Sequence, residues 1–439
     1  MKTYGIICEY NPFHNGHIYQ IEETRKAGAT HIVAFMSGNF VQRGDVAILD
    51  KFKRAEIAVA NGVDLVVELP VQYSLANAEY FARCGVLMMA SLRCVDGISF
   101  GSECGNIEEL QKCADAVTAV STPENLKPIL EQGMSYPDAV SQLVSFKYGP
   151  EMAKLLSSPN NTLAIEYLKS IKILGLSDRL QPLTIKRSGA EHDGDTPSDN
   201  IASASYIRTL IDDEEDFSKY VPKETLDAIN VYDQNHLLCW FDNLERVILY
   251  RLRTMSPKEL ATIPDVGQGL ENRIFEAARV STSLEQLIAN IATKRYPTSR
   301  IRRIILNAVC GIKTDDLKVP PVYGRILALN DRGAEILRKA GSLPEDKFSM
   351  PFSTSVKDFA ASENPHINRS IGITTISSDI YSLASRTIRP SGMDFTAKIP
   401  FVKIPDFVSE LPEDLETKAF IKKNGEKTAT PAPADKPED

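Results

Sequence analysis

Four short, continuous apolar runs, separated by helical patterns, occupy the first 120 residues and constrain the fold more than any other feature of the sequence. The runs cover residues 4–9, 31–36, 64–69 and 97–101, and their length suits strands that are buried on both faces. Amphipathic spacing between and after them predicts helices at residues 16–27, 51–61, 75–92 and 107–117. Strands that alternate with helices are typical of a parallel sheet covered on both sides. We therefore predict an α/β fold with a Rossmann-like parallel sheet, followed by a mostly helical C-terminal region.

The rest of the chain divides into sections with different patterns. At roughly 150 residues per domain, a chain of 439 residues predicts two or three domains. The first would cover residues 1–215, with a helical insertion at about 121–178 and a further strand at 182–187. Residues 216–315 have mostly helical spacing, and residues 316–405 could form a small α/β module or a C-terminal extension. Residues 406–439 end in a run rich in Pro, Ala and Asp, which predicts a disordered tail.

The strongest candidate site is the string His14-Asn15-Gly16-His17, which follows the first strand and opens the first helix. Gly16 has no Cβ, so a phosphate could approach the backbone closely, and a helix N-terminus favours an anion. Two imidazoles three residues apart could donate hydrogen bonds to phosphate oxygens. The alternative is that the histidines only satisfy local polar groups. Because open α/β sheets bind ligands at the C-terminal ends of their strands, the position favours a phosphate site.

Three further segments could reach the same cleft. Gln42 and Arg43 follow the second strand, and Gly101 ends the fourth strand, where an adenine or ribose could lie against bare backbone. Ser205 and Arg208 lie at the start of a later helix, where they could form a second anion site that holds a terminal phosphate. Each segment also has an ordinary alternative: a surface turn, a strand-ending turn, or an N-cap with a solvated Arg.

A basic stretch stands out because the whole chain is acidic, with a net charge of −8. Its five positive charges within ten residues belong to Lys294, Arg295, Arg300, Arg302 and Arg303. Phosphate contacts from such a patch would give salt-dependent affinity for RNA, and Tyr296 could stack on an unpaired base. The alternative is a solvated helix face.

Other classes of protein are not indicated by the sequence. The seven cysteines are scattered and form no C-x-x-C pair, so neither a zinc knuckle nor a redox pair is expected. The first residues do not have the pattern of a signal peptide, and no apolar run approaches the roughly eighteen residues of a membrane span. We expect a cytoplasmic chain with no membrane contact and no metal site of its own. The sequence does not indicate a protein partner.

Several strings together carry a resemblance to a known family. They are GIICEYNPFHNGHIYQI, MSGNFVQRGD, DLVVELP, FGSE, SPNNTLAIEYLK and IKRSGAEHD in the first 210 residues, and TKRYPTSRIRRIIL at residues 293–306. On these motifs the chain resembles the bacterial tRNA(Met) cytidine acetate ligases, within the H-x-G-H nucleotidyltransferase superfamily. The long first motif is highly specific, and the later motifs support it.

The resemblance implies an ATP-dependent ligase. Such an enzyme activates acetate as acetyl-adenylate, releases pyrophosphate, and transfers the acetyl group to N4 of the wobble cytidine in elongator tRNA(Met). ATP would be a co-substrate, and Mg²⁺ would enter with it, held largely by phosphates and water. The alternatives are a small-molecule adenylyltransferase and a non-catalytic RNA-binding protein that keeps a nucleotide pocket.

The resemblance also implies roles for individual residues. His14 and His17 would be catalytic, with His17 as the main donor to the transition state, and either Arg187 or Arg208 would hold the phosphate tail. Either Asn160 or Asn161 would contact ATP, and the resemblance favours Asn161. The implied ATP-binding residues are Ile7, Cys8, Glu9, Tyr10, Asn11, Pro12, Phe13, His14, Asn15, Gly16, His17, Ile18, Tyr19, Gln20, Gly101, Asn161, Arg187 and Ser188. The basic stretch would bind the tRNA.

Overall fold

Seven strands form one sheet in the computed structural model, which describes residues 1–187 and 200–403. The described residues contain nine strands in all, because a separate hairpin adds two. In chain order they are β1 (Thr3–Cys8), β2 (His31–Ser37), β3 (Phe40–Val41), β4 (Asp45–Val46), β5 (Leu65–Leu69), β6 (Gly97–Ser102), β7 (Gln181–Lys186), β8 (Gly324–Leu329) and β9 (Phe352–Ser353). The order across the sheet is β7-β6-β1-β2-β5-β8-β9, while β3 and β4 form a separate antiparallel hairpin. Every pairing in the large sheet is parallel except that of β5 with β8. The predicted α/β class with a parallel sheet is confirmed.

Helices make up most of the remaining described chain. The helices of the first half are α1 (Asn15–Lys26), α2 (Lys51–Ala60), α3 (Val71–Ser74), α4 (Ala78–Ser91), α5 (Ile107–Val120), α6 (Pro123–Leu130), α7 (Tyr136–Tyr148), α8 (Pro150–Lys154), α9 (Pro159–Ile173) and α10 (Ala204–Asp212). Those of the second half are α11 (Lys223–Gln234), α12 (Glu245–Thr254), α13 (Pro257–Leu260), α14 (Leu270–Val280), α15 (Leu284–Ile291), α16 (Thr298–Cys310), α17 (Asp331–Ser342), α18 (Val356–Ala360), α19 (Pro365–Tyr381) and α20 (Met393–Thr396). Short 3₁₀ segments lie at Leu155–Ser157, Ser218–Tyr220, Phe241–Leu244 and Thr314–Leu317.

Burial on both faces explains why the central strands are continuously apolar. In β2, Val33 and Phe35 belong to one hydrophobic cluster, whereas Ala34 and Met36 belong to another. Alternate residues of a strand point to opposite faces of a sheet, so each face of β2 packs against its own layer of helices. This packing brings the C-terminal ends of β1, β2, β6 and β7 to one edge of the sheet.

The helical section has its own hydrophobic core, which also holds the β3–β4 hairpin. Helices α12 to α16 supply most of this core, and Phe40 and Val46 of the hairpin are buried in the same cluster. The hairpin therefore connects the edge of the sheet to the helical section. No helix in the described ranges is long and apolar enough to cross a membrane.

Strands β8 and β9 of residues 316–403 belong to the main sheet, an arrangement that favours the C-terminal extension of the two alternatives given for this section. Strand β8 lies antiparallel to β5, with Leu65 opposite Leu329, and thereby covers an edge that would otherwise be unpaired. Helix α17 packs closely on the same strands, because a Cβ at Gly333 would lie 2.1 Å from the carbonyl oxygen of Asp64. The section is therefore an extension of the main sheet. The predicted tail at residues 406–439 lies outside the described residues.

Candidate active site

Two histidines cap the first turn of α1. The Nδ1 atom of His14 accepts a hydrogen bond from the backbone N–H of Gly16 at 3.1 Å, and Nδ1 of His17 accepts from the backbone N–H of His14 at 3.1 Å. The two rings stack with their centroids 3.7 Å apart. The histidines therefore satisfy local polar groups, as the alternative in the sequence analysis expected. Both rings nevertheless line an open cleft, so capping and ligand binding are compatible.

The capping bonds fix the protonation of both rings. Because each Nδ1 is an acceptor, each neutral imidazole carries its proton on Nε2, and that N–H is available as a donor. Burial lowers the pKa of His14 to about 3, and the nearby charge of Arg187 contributes. Removal from water also lowers the pKa of His17 well below its usual range, helped by His14 and Arg187. Near neutral pH the pair is therefore a set of two uncharged N–H donors.

Gly16 makes room for this arrangement. A Cβ at residue 16 would lie 2.9 Å from Cε1 and 3.0 Å from Nδ1 of His14. Any larger residue would push the His14 ring away from its capping position.

The cleft lies where β1, β6 and β7 end, and its empty volume of about 440 Å³ includes space open to solvent. Its lining residues are His14, Gly16, His17, Tyr19, Gln20, Gly101, Ile185, Lys186, Arg187 and Ile201. Sequence analysis missed Ile185, Lys186 and Ile201. The first two could have been found, since they immediately precede Arg187 at the end of a predicted strand.

Arg187 forms one wall of the cleft together with Gly101. A Cβ at residue 101 would lie 3.4 Å from Cγ of Arg187, so the arginine lies across the bare backbone of β6. Its Nη1 atom donates to Oδ1 of Asn160 at 3.4 Å. Burial lowers the pKa of Arg187, while the carboxylate of Glu103 acts in the opposite direction. A guanidinium beside two imidazole donors makes this wall suitable for phosphate.

Glu103 connects the two neighbouring asparagines to the cleft. One oxygen of Glu103 accepts from Nδ2 of Asn160 at 2.7 Å, and the other accepts from the backbone N–H of Asn161 at 2.8 Å. The Asn161 side chain is buried, and its Oδ1 accepts from the backbone N–H of Cys104 at 3.1 Å. Asn160 is thus linked to the cleft wall through Arg187, whereas Asn161 fixes the loop after β6.

Much of the predicted ATP-binding segment shapes the loop and does not line the cleft. The side chains of Cys8, Tyr10 and Phe13 lie in the hydrophobic core. The other predicted residues outside the lining are Ile7, Glu9, Asn11, Pro12, Asn15 and Ile18. Ser188 lies outside the described residues.

Polar contacts hold this loop in place. Asn11 donates to the carbonyl of Val46 and accepts from the N–H of Ile48, at 3.3 and 2.9 Å. Asn15 donates to the carbonyls of Asn200 and Lys219, both at 2.9 Å.

Arg208, which was predicted to form a second anion site with Ser205, braces the loop in this structure. Its Nη1 atom donates to the carbonyl of Asn11 at 2.7 Å, and its Nη2 atom donates to Oγ of Ser205 at 3.3 Å. Neither residue lines the cleft. Arg187 is therefore the better candidate for the phosphate tail.

Arg54 is a buried positioning residue that sequence analysis did not identify. It donates to the carbonyls of Leu49 and Ser37 at 3.0 and 3.2 Å, and also to those of Glu9 and Gly38. Glu9 is the first residue after β1, Ser37 is the last residue of β2, and Gly38 follows it. One guanidinium thus ties together two loops at the edge of the sheet. Its place on an amphipathic helix gave no signal of this role.

The basic stretch makes more protein contacts than predicted. Arg302 donates to the carbonyl of Gly44 at 2.9 Å and pairs with Asp45 at 2.8 Å. Arg303 donates to the carbonyl of Gln42 at 3.4 Å. These residues tie α16 to the β3–β4 hairpin.

Other members of the stretch differ in exposure. Arg300 donates to the carbonyl of Asp265 at 2.8 Å, and Arg295 donates to Gln268. Lys294 is exposed. Tyr296 is only 9% exposed and lies in the helical core, so the prediction that it stacks on a base is wrong for this conformation.

The low pKa of His14 predicts a pH-dependent loss of stability. Between about pH 6.5 and pH 3 the unfolded chain binds the proton more readily than the folded chain, so stability present above pH 6.5 is lost as the pH falls. This imidazole alone should cost the wild type about 2 kcal/mol of unfolding free energy between pH 7 and pH 5. His14→Asn keeps an N-cap acceptor but has no imidazole, so it should not show this loss of unfolding free energy. Urea unfolding of both proteins at the two pH values measures it, and equal pH slopes would refute the buried neutral ring.

Comparison with known proteins gives this cleft a family context. The sequence model of the family described as HIGH Nucleotidyl Transferase matches residues 1–394. A relative from Acetivibrio thermocellus, named tRNA(Met) cytidine acetate ligase, is 35% identical in an alignment of 421 residues that covers 91% of this chain and 99% of the relative. A relative of the same name from Caldanaerobacter subterraneus subsp. tengcongensis is 37% identical in an alignment of 406 residues that covers 90% of this chain and 98% of the relative.

Solved structures agree with these matches. The crystal structure of Thermotoga maritima TmcAL in its apo form I is 29% identical, with a TM-score of 0.83 over 92% of this chain and 100% of that one. The structure of the same protein bound with alpha-thio ATP has a TM-score of 0.82, the same identity and the same coverage. A protein similar in both sequence and fold therefore binds an ATP analogue.

Proposed function

The chain belongs to the HIGH nucleotidyl transferase family and, within it, to the tRNA(Met) cytidine acetate ligases, and from this premise we propose that it acetylates tRNA at the expense of ATP. The substrates would be ATP, acetate and elongator tRNA(Met), and the product would be N4-acetylcytidine at the wobble position. A tRNA substrate supports the further proposal that the chain works in the cytoplasm.

The observation that carries this proposal is the pair of stacked imidazoles beside Arg187. Their Nδ1 atoms are used in the helix cap, so their Nε2–H groups are the donors left for a ligand in the cleft. Neutral donors and one guanidinium at a helix N-terminus suit a triphosphate whose α-phosphorus gains negative charge during displacement.

The chemistry follows in two displacements. A carboxylate oxygen of acetate attacks the α-phosphorus, the bond from that phosphorus to the bridging oxygen breaks, and pyrophosphate leaves with the bonding electrons. Acetate is already an anion, so no general base is needed. The N4 amine of cytidine then attacks the acetyl carbon, AMP leaves with the electrons of the broken C–O bond, and the amine gives its proton to solvent.

The residues that line the cleft also bear on the metal. Among the described residues, none of these side chains is a carboxylate. Mg²⁺ would therefore be held by the phosphates of ATP and by water, and it would supply charge neutralisation on the phosphates.

The proposed reaction can be tested directly. The purified chain is incubated with ATP, acetate and unmodified elongator tRNA(Met), and the digested RNA is examined by mass spectrometry. We expect N4-acetylcytidine that depends on both ATP and acetate. Adenylylation of a phosphorylated metabolite without RNA would instead support the small-molecule adenylyltransferase. Absence of ATP binding would support a non-catalytic RNA-binding protein.

Arg300, Arg302 and Arg303 donate to backbone carbonyls, whereas Lys294 is exposed and Arg295, which donates to Gln268 and to the carbonyl of Leu130, is half-buried beside it. The proposed tRNA-binding surface is therefore centred on Lys294, with Arg295 next to it. Lys294→Ala combined with Arg295→Ala should weaken tRNA binding and reduce the slope of log affinity against log salt by about one to two. ATP affinity should not change. Lys339→Ala, an exposed lysine on α17, serves as the control. An unchanged salt slope in the double variant would remove these residues from the surface.

A further inference from the structure

The tip of the β3–β4 hairpin is fixed to the loop that carries the two histidines. The backbone N–H of Gln42 donates to Oε1 of Glu9 at 2.7 Å. Glu9 is the first residue after β1, and Arg208 binds the carbonyl of Asn11 two residues further on. The residue after Gln42 therefore lies beside the entrance to the histidine-bearing turn.

The helical section holds the same tip from its other side. Gly44 has φ +75°, and a Cβ there would lie 2.6 Å from the backbone N of Arg303. Arg302 binds both the Gly44 carbonyl and the Asp45 carboxylate. Both neighbours of residue 43 are thus held in place, so its backbone position is well defined.

Arg43 is the exception within this fixed tip. Its side chain is exposed, and it makes no hydrogen bond or ion pair with any residue in the ranges 1–187 and 200–403. The Arg43 side chain therefore forms no contact within these ranges that would stabilise the hairpin. A guanidinium in such a place is available for an anion that arrives from solution.

The surrounding charges support that availability. Burial lowers the pKa of Arg187 on the cleft wall and that of Arg208, and the charge of Arg43 lowers both further. Burial raises the pKa of Glu9, and Arg43 is among the charges that oppose this. Arg43 thus lies within electrostatic range of Arg187, of Arg208 and of the half-buried carboxylate of Glu9. An additional anion would reduce the repulsion between Arg43 and the other two guanidinium groups.

We propose that Arg43 binds a phosphate group of a substrate at the mouth of the cleft. The inference rests on the proposed function, since it takes the phosphate from one of the two phosphate-bearing substrates of that reaction. One source is the triphosphate of ATP and the other is the backbone of the tRNA. Arg43 contacts the substrate through two parallel N–H donors, the geometry that guanidinium groups adopt with phosphate.

Binding measurements on Arg43→Ala separate the two sources without needing turnover. ATP affinity is measured by calorimetry, and tRNA affinity by fluorescence anisotropy at several salt concentrations. Loss of a charge-assisted contact should weaken one ligand about tenfold or more. If tRNA is the source, the salt slope should also fall by about one. Arg43→Lys, which keeps the charge but not the fork, should recover part of the lost affinity.

The controls decide between binding and structure. Arg332→Ala removes an exposed arginine from α17 and should leave both affinities unchanged. Affinities of Arg43→Ala within twofold of the wild type for both ligands would overturn the proposal, as would a joint loss of both accompanied by a lower melting temperature. A wild type that binds both ligands yet makes no acetylcytidine would refute the proposed function, while Arg43 would still be judged by its binding data.

Discussion

His17→Ala should lower kcat/KM for acetylation by about 10²–10³-fold while the chain stays folded. The size is that of removing one well-placed donor to a developing negative charge. The Nε2–H of His17 is such a donor, because Nδ1 of the same ring is already bonded to the backbone of His14. ATP affinity should fall much less than kcat/KM, because the donor stabilises the transition state more than it stabilises bound ATP.

Two further variants separate catalysis from capping at residue 17. Asn places an amide oxygen near the position of Nδ1, so His17→Asn should keep the bond to the His14 backbone but lack a donor where Nε2 lies. It should be as stable as the wild type and as inactive as His17→Ala. The longer Gln side chain can place its amide N–H near the position of Nε2, so His17→Gln should recover part of the rate. His366→Ala, on an exposed histidine of α19, is the control. If His17→Asn retained more than a third of the wild-type rate, His17 would have no catalytic role.

Arg325→Met should destabilise the chain by about 3–5 kcal/mol, the usual cost of removing one partner from a buried ion pair. Arg325 belongs to a buried charge network whose other members are Lys51, Glu68 and Asp394. Lys51 Nζ lies 2.6 Å from Glu68 and 2.8 Å from Asp394, and Arg325 pairs with Asp394. These three salt-bridged side chains and that of Arg325 are each at most 1% exposed.

The network also supports the edge of the sheet near the cleft. A Cβ at Gly38 would lie 2.6 Å from Oε1 of Glu68, so the backbone that leads into the hairpin rests on this carboxylate. Removal of Arg325 leaves two carboxylates facing one lysine. Arg325→Met combined with Glu68→Gln restores the balance of charge and should therefore be less destabilised than the sum of the single variants.

Urea unfolding of the intact chain measures both effects. Lys223→Met is the matched control, because the Lys223–Asp227 pair is exposed and should contribute nothing measurable. A change below about 1 kcal/mol for Arg325→Met would mean that the network is not paired as described.

Local patterns predicted the sheet and the centre of the site. The runs that became β1, β2, β5 and β6 are apolar along their whole length because helices cover both faces, and that pattern is visible in the sequence alone. The string around Gly16 was recognisable because its residues are adjacent in the chain and follow a strand. Residues that depend only on local order were therefore predictable.

Partners that are distant in the chain account for what was missed. Strand β8 has the same apolar pattern whether it starts a new sheet or joins β5, and only the tertiary structure decides between the two. Arg302 looked like part of a solvated basic face, but its partner Gly44 is 258 residues away. The sequence likewise gave no sign that Arg208 would bind the carbonyl of Asn11. A cluster of basic residues in the sequence shows where positive charge is concentrated. It does not show whether those side chains bind groups of the protein itself or a ligand.

The central claim is that the cleft at the first helix joins acetate to the α-phosphorus of ATP, and oxygen transfer tests it most directly. The wild-type chain is given [¹⁸O₂]acetate, ATP and unmodified elongator tRNA(Met), and the released nucleotide is examined by mass spectrometry. We expect AMP that carries one ¹⁸O atom per acetyl group transferred, together with unlabelled pyrophosphate. ADP with ¹⁸O in inorganic phosphate would contradict the claim, because it would place the attack of acetate on the γ-phosphorus.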